Sequence, residues 1–409
     1  MPACGSSDHI GLSGSDLHYP KNMADSIALP RAQARTATLP AIPWYLWASV
    51  LGVTSAMVGV HWDISWHRSI GRDTFWTPPH MAIYLCGVIA GISSAYLILA
   101  TTFGLLPDVR RTSVRMWGFH GPLGAFITAW GGIAMLTSAP FDDWWHNAYG
   151  LDVKILSPPH TVLAAGILGI EIGALILVLG YMNRAHGDEQ RRLKWLYMYL
   201  GSMIVIVFQI LTMEYSDRVL QHTGIFYLAM SIAVPTALIG VATASGNRWA
   251  ATTIAAVYTL FTASLIWILP LFPAQPKLGP VLNPVTQFVP PTFPILMIVP
   301  AFALDWIRPR IRDWNIWLQS LLCGAIFLGL FFAAEWPFAS FLMTPAAANG
   351  FFGAIYHDYG SGPNSLEVRN LFLPAERNFS TMMLYALVAS VVTSRVGLGW
   401  ARWMRTVKR

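Results

Sequence analysis

The feature that most restricts this chain is a series of apolar stretches, each about twenty residues long and nearly free of charge. Ten can be marked, at roughly 44–61, 80–106, 117–138, 160–183, 195–216, 224–244, 249–272, 286–306, 315–337 and 379–399. Each is long enough, as a helix, to cross a hydrocarbon layer about 30 Å thick. Hydrocarbon offers no partner to backbone N–H and C=O groups, so only helices and closed barrels span it. Continuous rather than alternating apolar character selects helices. The composition agrees, with 55% hydrophobic and 11% charged residues, against roughly a quarter charged in a soluble domain. The expected fold class is therefore an all-α integral membrane protein, with about ten transmembrane helices in one polytopic domain over 43–409.

The basic residues set the expected topology. Lys and Arg residues at 21–35, 110–115, 184–194, 248, 308–312 and 395–409 number 19, whereas the alternate segments hold only Arg68, Arg72, Lys154, Arg218, Lys277, Arg369 and Arg377. Cytoplasmic segments carry the excess of Lys and Arg, so both termini are expected in the cytoplasm. For a bacterial inner membrane, the opposite segments would then be periplasmic, including a long loop at 338–378 that is a candidate lid. The net charge of +6 follows from this topology and does not point to nucleic acid. Residues 1–42 read as a disordered cytoplasmic tail with no cleaved signal. Cys4, Cys86 and Cys323 are scattered, which gives neither a disulfide framework nor a CxxC metal motif.

Two polar phrases interrupt the first half. "HWDISWHRSIGRDTFWTPPH" runs from His61 to His80, and "DDWWHNAYGLDVKILSPPH" from Asp142 to His160. Aligned, Asp63 matches Asp142, Trp66 matches Trp145, and His67 matches His146. Gly71 and Asp73 match Gly150 and Asp152, and after one inserted residue each phrase ends Pro-Pro-His, at His80 and His160. Each phrase joins two apolar runs, so 61–160 reads as a tandem helix-hairpin duplication. Asp and His four apart share one helix face. The Pro-Pro pair breaks a preceding helix and suits the start of the next, which would carry the final His back towards the first two residues. One carboxylate and two imidazoles would thus converge twice: Asp63, His67 and His80, then Asp142, His146 and His160. Such residues are ligands for zinc, copper and non-haem iron, and ionisable groups at a bilayer edge are functional candidates.

Other polar residues have plainer readings. The Trp residues of the phrases suit an interfacial aromatic belt, and Asp73 and Asp152 suit turns or caps. His61 is a structural histidine or a fourth ligand. Glu214, Asp217 and His222 read as interfacial capping with a salt bridge to Arg218. Glu335, after an apolar run, faces a cavity or a partner. His120 lies at the far end and reads as structural.

The first phrase resembles the ligand segment of the C subunit of the particulate methane monooxygenase and ammonia monooxygenase family, which runs Asp-x3-His, Arg-Asp, Phe, Pro and His. Asp63, His67 and His80 have that spacing, with Arg72, Asp73, Phe75 and Pro78 in the corresponding places. The family's second site is Asn-x3-His with a further His fourteen residues on, and Asp142, His146 and His160 are similar to it, with Asp142 where the family has Asn. The likeness covers about 60–165. It implies a copper-dependent membrane oxygenase with sites on the periplasmic side. Two His and one carboxylate is also a non-haem iron pattern, so copper, iron and zinc all stay open.

The leading expectation is a membrane-embedded monooxygenase. Asp63, His67 and His80 would be its catalytic set, and O₂ and a hydrophobic small molecule its substrates. Electrons would come from an external donor, since no haem, flavin or nicotinamide motif is present. The chain could act as a homo- or hetero-oligomer. The alternatives are a metal transporter or chaperone, a metal-binding subunit without catalysis, and a zinc hydrolase.

Overall fold

The computed structural model describes residues 42–150, 157–374 and 376–408. The tail expected at 1–42 lies outside them apart from Ile42, as do Asp152 and Lys154. In chain order the helices are α1 (Trp44–Ser69), α2 (Pro78–Thr102), α3 (Pro107–Arg111), α4 (Leu123–Tyr149), α5 (Pro158–Met182) and α6 (Gly187–Leu211). There follow α7 (Met213–Ser216), α8 (Gly224–Ser245), α9 (Ala250–Ile268), α10 (Ile298–Ile311), α11 (Ile316–Leu342) and α12 (Phe379–Met404). Among the described residues the protein is all-α apart from a two-stranded hairpin, β1 (Val114–Met116) and β2 (Phe119–Gly121). That hairpin corrects the expectation of no strands and of a helix beginning at 117. Trp117 and Gly118 have φ of 50° and 88°, the two positive values of a tight type I′ hairpin turn, and α4 starts only after it.

Among the described residues eight helices are long and apolar enough to cross a membrane: α2, α4, α5, α6, α8, α9 continued to Leu271, α11 and α12. The protein is thus a multi-pass membrane protein by the length and composition of its helices. Two of the ten expected spans differ. α1 has 26 residues, but His61, Asp63, His67 and Arg68 dilute its apolar character. The stretch at 286–306 is helical only from Ile298, and α10 has 14 residues, about 21 Å at 1.5 Å per residue. The sequence "FVPPTFP" explains this, because each proline removes a backbone donor and breaks a helix.

The unwound stretch before α10 is buried against its neighbours, and its backbone polar groups are taken up by side chains. Ser69 Oγ accepts from Val289 N–H (2.7 Å), and Ser65 Oγ donates to Val289 O (2.6 Å). Arg68 donates to Pro290 O, and the Tyr258 hydroxyl accepts from Ile295 N–H. Glu335 Oε2 accepts from Leu296 N–H at 2.8 Å. This answers the question about Glu335, which is 0% exposed: its partner is the broken backbone of its own chain. Irregular backbone at such depth is tolerated only where protein groups satisfy it.

The main hydrophobic core runs through the helices, from Leu46 of α1 to Met404 of α12, and a smaller one gathers Ile70, Leu265, Leu269, Ala274 and Phe288. Glycines let the helices that carry the polar phrases approach closely. A Cβ on Gly59 of α1 would stand 2.7 Å from the Ile83 side chain of α2. On Gly131 of α4 it would stand 2.6 Å from backbone atoms of Gly166 and Ile170 in α5. Small residues at such seams allow backbones to meet in membranes. Each seam lies a few turns or less from the residues at its polar end.

The loop expected at 338–378 begins later, because α11 continues to Leu342. It folds onto the polar ends of α1 and of the 218–224 segment. Arg68 donates to Asp358 Oδ1 (2.5 Å) and to Glu367 Oε1 (3.4 Å). Arg218 donates to the carbonyls of Ala354 and Glu367, and Tyr359 N–H to Arg68 O (3.2 Å).

Two predictions follow from these contacts. Glu335→Ala leaves the Leu296 N–H unpaired and lowers stability by about 1–3 kcal/mol, whereas Glu335→Gln, which keeps an acceptor, costs less. Thermal unfolding in mild detergent tests the order of the two. The second concerns Glu367. Burial pushes its carboxyl up, but His357, Arg68 and Arg218 offset this and hold it below its ordinary range. A depressed folded value contributes stability above the unfolded value, lost as pH falls through the folded one. Glu367→Gln should therefore be less stable than the parent at neutral pH, and the gap should close below about pH 4. A gap that stayed constant from pH 7 to pH 3.5 would contradict it.

Candidate metal centre

Each polar phrase is a helix end, a short connection and a helix start. Asp63 and His67 lie one turn apart in the last turns of α1, and Asp142 and His146 in those of α4. Each connection has a glycine with φ of +89° within two residues of the helix end, Gly71 and Gly150, a left-handed conformation that a side chain would strain. Those glycines also orient the histidines. His67 Nδ1 donates to Gly71 O (3.2 Å), and His146 Nδ1 to Gly150 O (3.3 Å). With Nδ1 engaged by a carbonyl, Nε2 is the nitrogen presented to the carboxylates, the arrangement that orients metal-ligating histidines. At the other side of each connection, Thr77 and Ser157 have extended backbone and their carbonyls accept from Met81 and Thr161. The Pro-Pro pairs occupy the first helical positions, and the final His falls at the third.

The expected convergence is present in both halves. In the first, His67 Nε2 lies 3.8 Å from Asp63 Oδ2, and His80 Nε2 lies 3.3 Å from Asp63 Oδ1. In the second, His146 Nε2 is 3.4 Å from Asp142 Oδ2, and His160 Nε2 is 3.5 Å from Asp142 Oδ1. Asp142, His146 and His160 offer ligand atoms all within 4.8 Å of one another, as do Asp63, His67 and Asp73.

Asp73 is a member that the sequence reading assigned to a turn. Its Oδ2 lies 3.5 Å from His67 Nε2 and 3.2 Å from His80 Nε2, which makes the first set two carboxylates and two imidazoles. Burial pushes the Asp73 carboxyl up, but its contacts with His67 and His80 hold it far below the usual range. The signal for it was in the sequence, since Asp73 and Asp152 occupy matching places. Asp152 lies outside the described residues.

The donor sets fit a metal ion. Ligand atoms at about 2.0–2.2 Å from one tetrahedral ion stand about 3.3–3.6 Å apart, and the nitrogen–oxygen separations here run from 3.2 to 3.8 Å. Asp63 Oδ1 and Asp142 Oδ1 are buried, and the nearest groups to them are the imidazoles of His80 and His160, at 3.3 and 3.5 Å and not aligned as hydrogen bonds. Buried acceptors are normally satisfied, so each of these atoms suits a cation.

The two sets line one cavity of about 140 Å³, which Asp63, His67, His80, Asp142 and His160 share. Its remaining wall is mainly apolar, with Ile83, Leu163, Ile167, Val207 and Ile210, plus the Tyr84 ring. A second, larger space of about 620 Å³ is bordered by Glu214, Asp217, Asp358 and residues 291–295, and His67 and Ile64 line both spaces.

The remaining candidates do not join the centre. His61 is buried, donates Nδ1 to Met57 O (2.8 Å), and packs edge-on against Phe261. Asp217 caps the turn at Val219 (3.0 Å). The expected salt bridge from Arg218 goes instead to the carbonyls of the long loop. His222 is stacked between Trp336 and Phe372 at 4.0 and 3.7 Å. His120 lies in β2, at the other end. Trp66, expected in a belt, donates its indole N–H to Arg72 O (2.9 Å) and ties the connection to α1. Glu171 of α5 escaped the sequence reading because it sits alone in an apolar run. It is fully buried, and neither carboxyl oxygen accepts a hydrogen bond. It lies one turn beyond Ile167 of the cavity wall.

Comparison with family models, with curated proteins and with solved structures finds no match for this chain. The resemblance to the monooxygenase C subunit rests on the spacings of the two phrases.

If Asp73 is a ligand, Asp73→Ala should release metal from the first set as His67→Ala does, and leave the second set loaded. Metal analysis of the purified variants tests this. Full retention in Asp73→Ala would reduce Asp73 to a turn residue.

Proposed function

We propose that the protein is a membrane-embedded, metal-dependent monooxygenase that uses O₂ to oxidise a small hydrophobic molecule. The observation that supports this most is the shared cavity, where oxygen and nitrogen donors of both sets meet an apolar wall. Asp63, His67, His80 and Asp73 would hold one ion, and Asp142, His146 and His160 a second. Copper is the reading that the resemblance favours, and non-haem iron the one that the His and carboxylate donors equally support. The ion, when bound, supplies the binding and activation of O₂.

The chain's own residues supply position and exclusion. Gly71 O and Gly150 O hold His67 and His146 in the tautomer that exposes Nε2. Ile83, Leu163, Ile167 and Val207 keep water from the cavity and place an apolar substrate beside the ligands. A cavity of about 150 Å³ accepts a molecule of benzene size, so substrates of about six carbons or fewer suit this one. Electrons come from an external donor. We read both termini as cytoplasmic and the centre as facing the periplasm of a bacterial inner membrane, from the distribution of Lys and Arg. A transporter would continue the ligands across the bilayer. Beyond the centre, the α5 face carries only the single carboxyl of Glu171, which favours the enzyme.

The test is metal content and electron paramagnetic resonance of protein purified in mild detergent, beside His67→Ala and His146→Ala. Copper or iron in the parent, with one set lost in each variant, is the expected result and directs a screen for oxygen-dependent products. Zinc alone, or no metal after growth replete in copper and iron, would end the oxygenase proposal.

A further inference from the structure

The end of the molecule opposite the metal centre holds a cavity of about 780 Å³ between α8, α10, α11 and α12. Six arginines line it: Arg248, Arg308, Arg310, Arg312, Arg402 and Arg405. No carboxylate lines it. Asp305 pairs with Arg308, and Asp313 with Arg312 at 3.3 Å. Asp305 is otherwise consumed by the start of α9, where it accepts from Ala251 N–H, Thr252 N–H and the Thr252 hydroxyl. Arg248, Arg310, Arg402 and Arg405 enter no ion pair among the described residues. Arg308 is largely buried, yet its Nε has no acceptor.

Arg310 and Arg405 donate to the carbonyls of Trp306 and Thr243 but meet no carboxylate among the described residues. At the other end Arg68 meets two carboxylates and a carbonyl, and Arg218 two carbonyls. Like charges gathered in a partly enclosed space repel one another and require a counter-charge. Guanidinium forks match the oxygens of phosphate in paired hydrogen bonds.

The surroundings indicate the source. Trp306, Trp314, Trp317 and Trp403 are 43–60% exposed around this end, as in the aromatic belt at a membrane boundary. Ile311, Cys323 and Leu398 give the cavity an apolar side. Basic pockets between helices at the membrane surface suit lipid headgroups.

We propose that this cavity is a binding site for a phosphate-bearing anion, the headgroup of an anionic phospholipid, with Arg402 and Arg405 among its contacts. The site is independent of the metal chemistry, so it stands or falls separately.

The test uses the full chain, delipidated in an uncharged detergent. Lipid retention by native mass spectrometry and the unfolding midpoint are measured with phosphatidylglycerol, with phosphatidylcholine, and with inorganic phosphate against chloride at equal ionic strength. Arg402→Gln, which breaks no hydrogen bond or ion pair among the described residues, and the double variant R402Q/R405Q are compared with a control, R111Q/R191Q, altered at exposed arginines of the same end. The expected result is preferential retention of phosphatidylglycerol and a raised midpoint in parent and control. Binding should weaken about thirtyfold in the double variant, two arginines at roughly 1 kcal/mol each. A response to inorganic phosphate equal to that to phosphatidylglycerol, lost in the variants, would keep the phosphate site and overturn the lipid as its source. Equal binding of phosphatidylglycerol and phosphatidylcholine with no phosphate response, or equal binding by parent and double variant, would overturn the proposal.

Discussion

A carboxylate at the edge of hydrocarbon has to be met by a donor, a proton or a cation, because the solvent there supplies none of them. Asp63 and Asp142 impose that requirement on the first half of the molecule. Each is met by two imidazole nitrogens, one from its own helix a turn away and one from the start of the next. That second imidazole arrives only because a left-handed glycine ends one helix and a Pro-Pro pair begins the other. The close seams at Gly59 and at Gly131 hold the paired helices near enough for the reach. Local backbone chemistry and membrane packing thus serve the same convergence, twice.

The same requirement shapes the second half in a different way. The stretch before α10 gives up its helix to prolines, and the exposed backbone groups are taken up by Ser65, Ser69, Arg68, Tyr258 and Glu335. Ser65, Arg68 and Ser69 belong to the helix that carries Asp63 and His67. The unwound stretch and the long loop at 343–378 are therefore fastened to the helix end that presents the first set. The second set lies on α4 and α5, and its connection passes through residues outside the described ones. In the first set Asp73 stands beside both imidazoles.

The two ends of the molecule also divide the charge. The end with the two Asp and His sets gathers carboxylates, and there Arg68 and Arg218 meet acids and carbonyls. The opposite end gathers arginines around a cavity, and four of them have no acidic partner among the described residues. A membrane protein needs this asymmetry for its orientation, and here it also makes a pocket with the chemistry of a phosphate site.

Much of this was legible in the residues alone. Apolar run length determined the helical membrane class, since no other structure buries such runs with the backbone satisfied. The repeat of Asp-x3-His with a later Pro-Pro-His determined the convergence of both Asp and His sets, because i to i+4 spacing and proline breaks are local rules. The tertiary structure decided what depends on which helices become neighbours. It set Asp73 facing two imidazoles rather than in a simple turn, and it turned the stretch at 286–297 into braced, unwound backbone. It gave Glu335 a backbone partner, moved Arg218 from the expected acids to loop carbonyls, and joined the two sets across one cavity. Sequence spacing specifies a face of a helix; only packing specifies what that face meets.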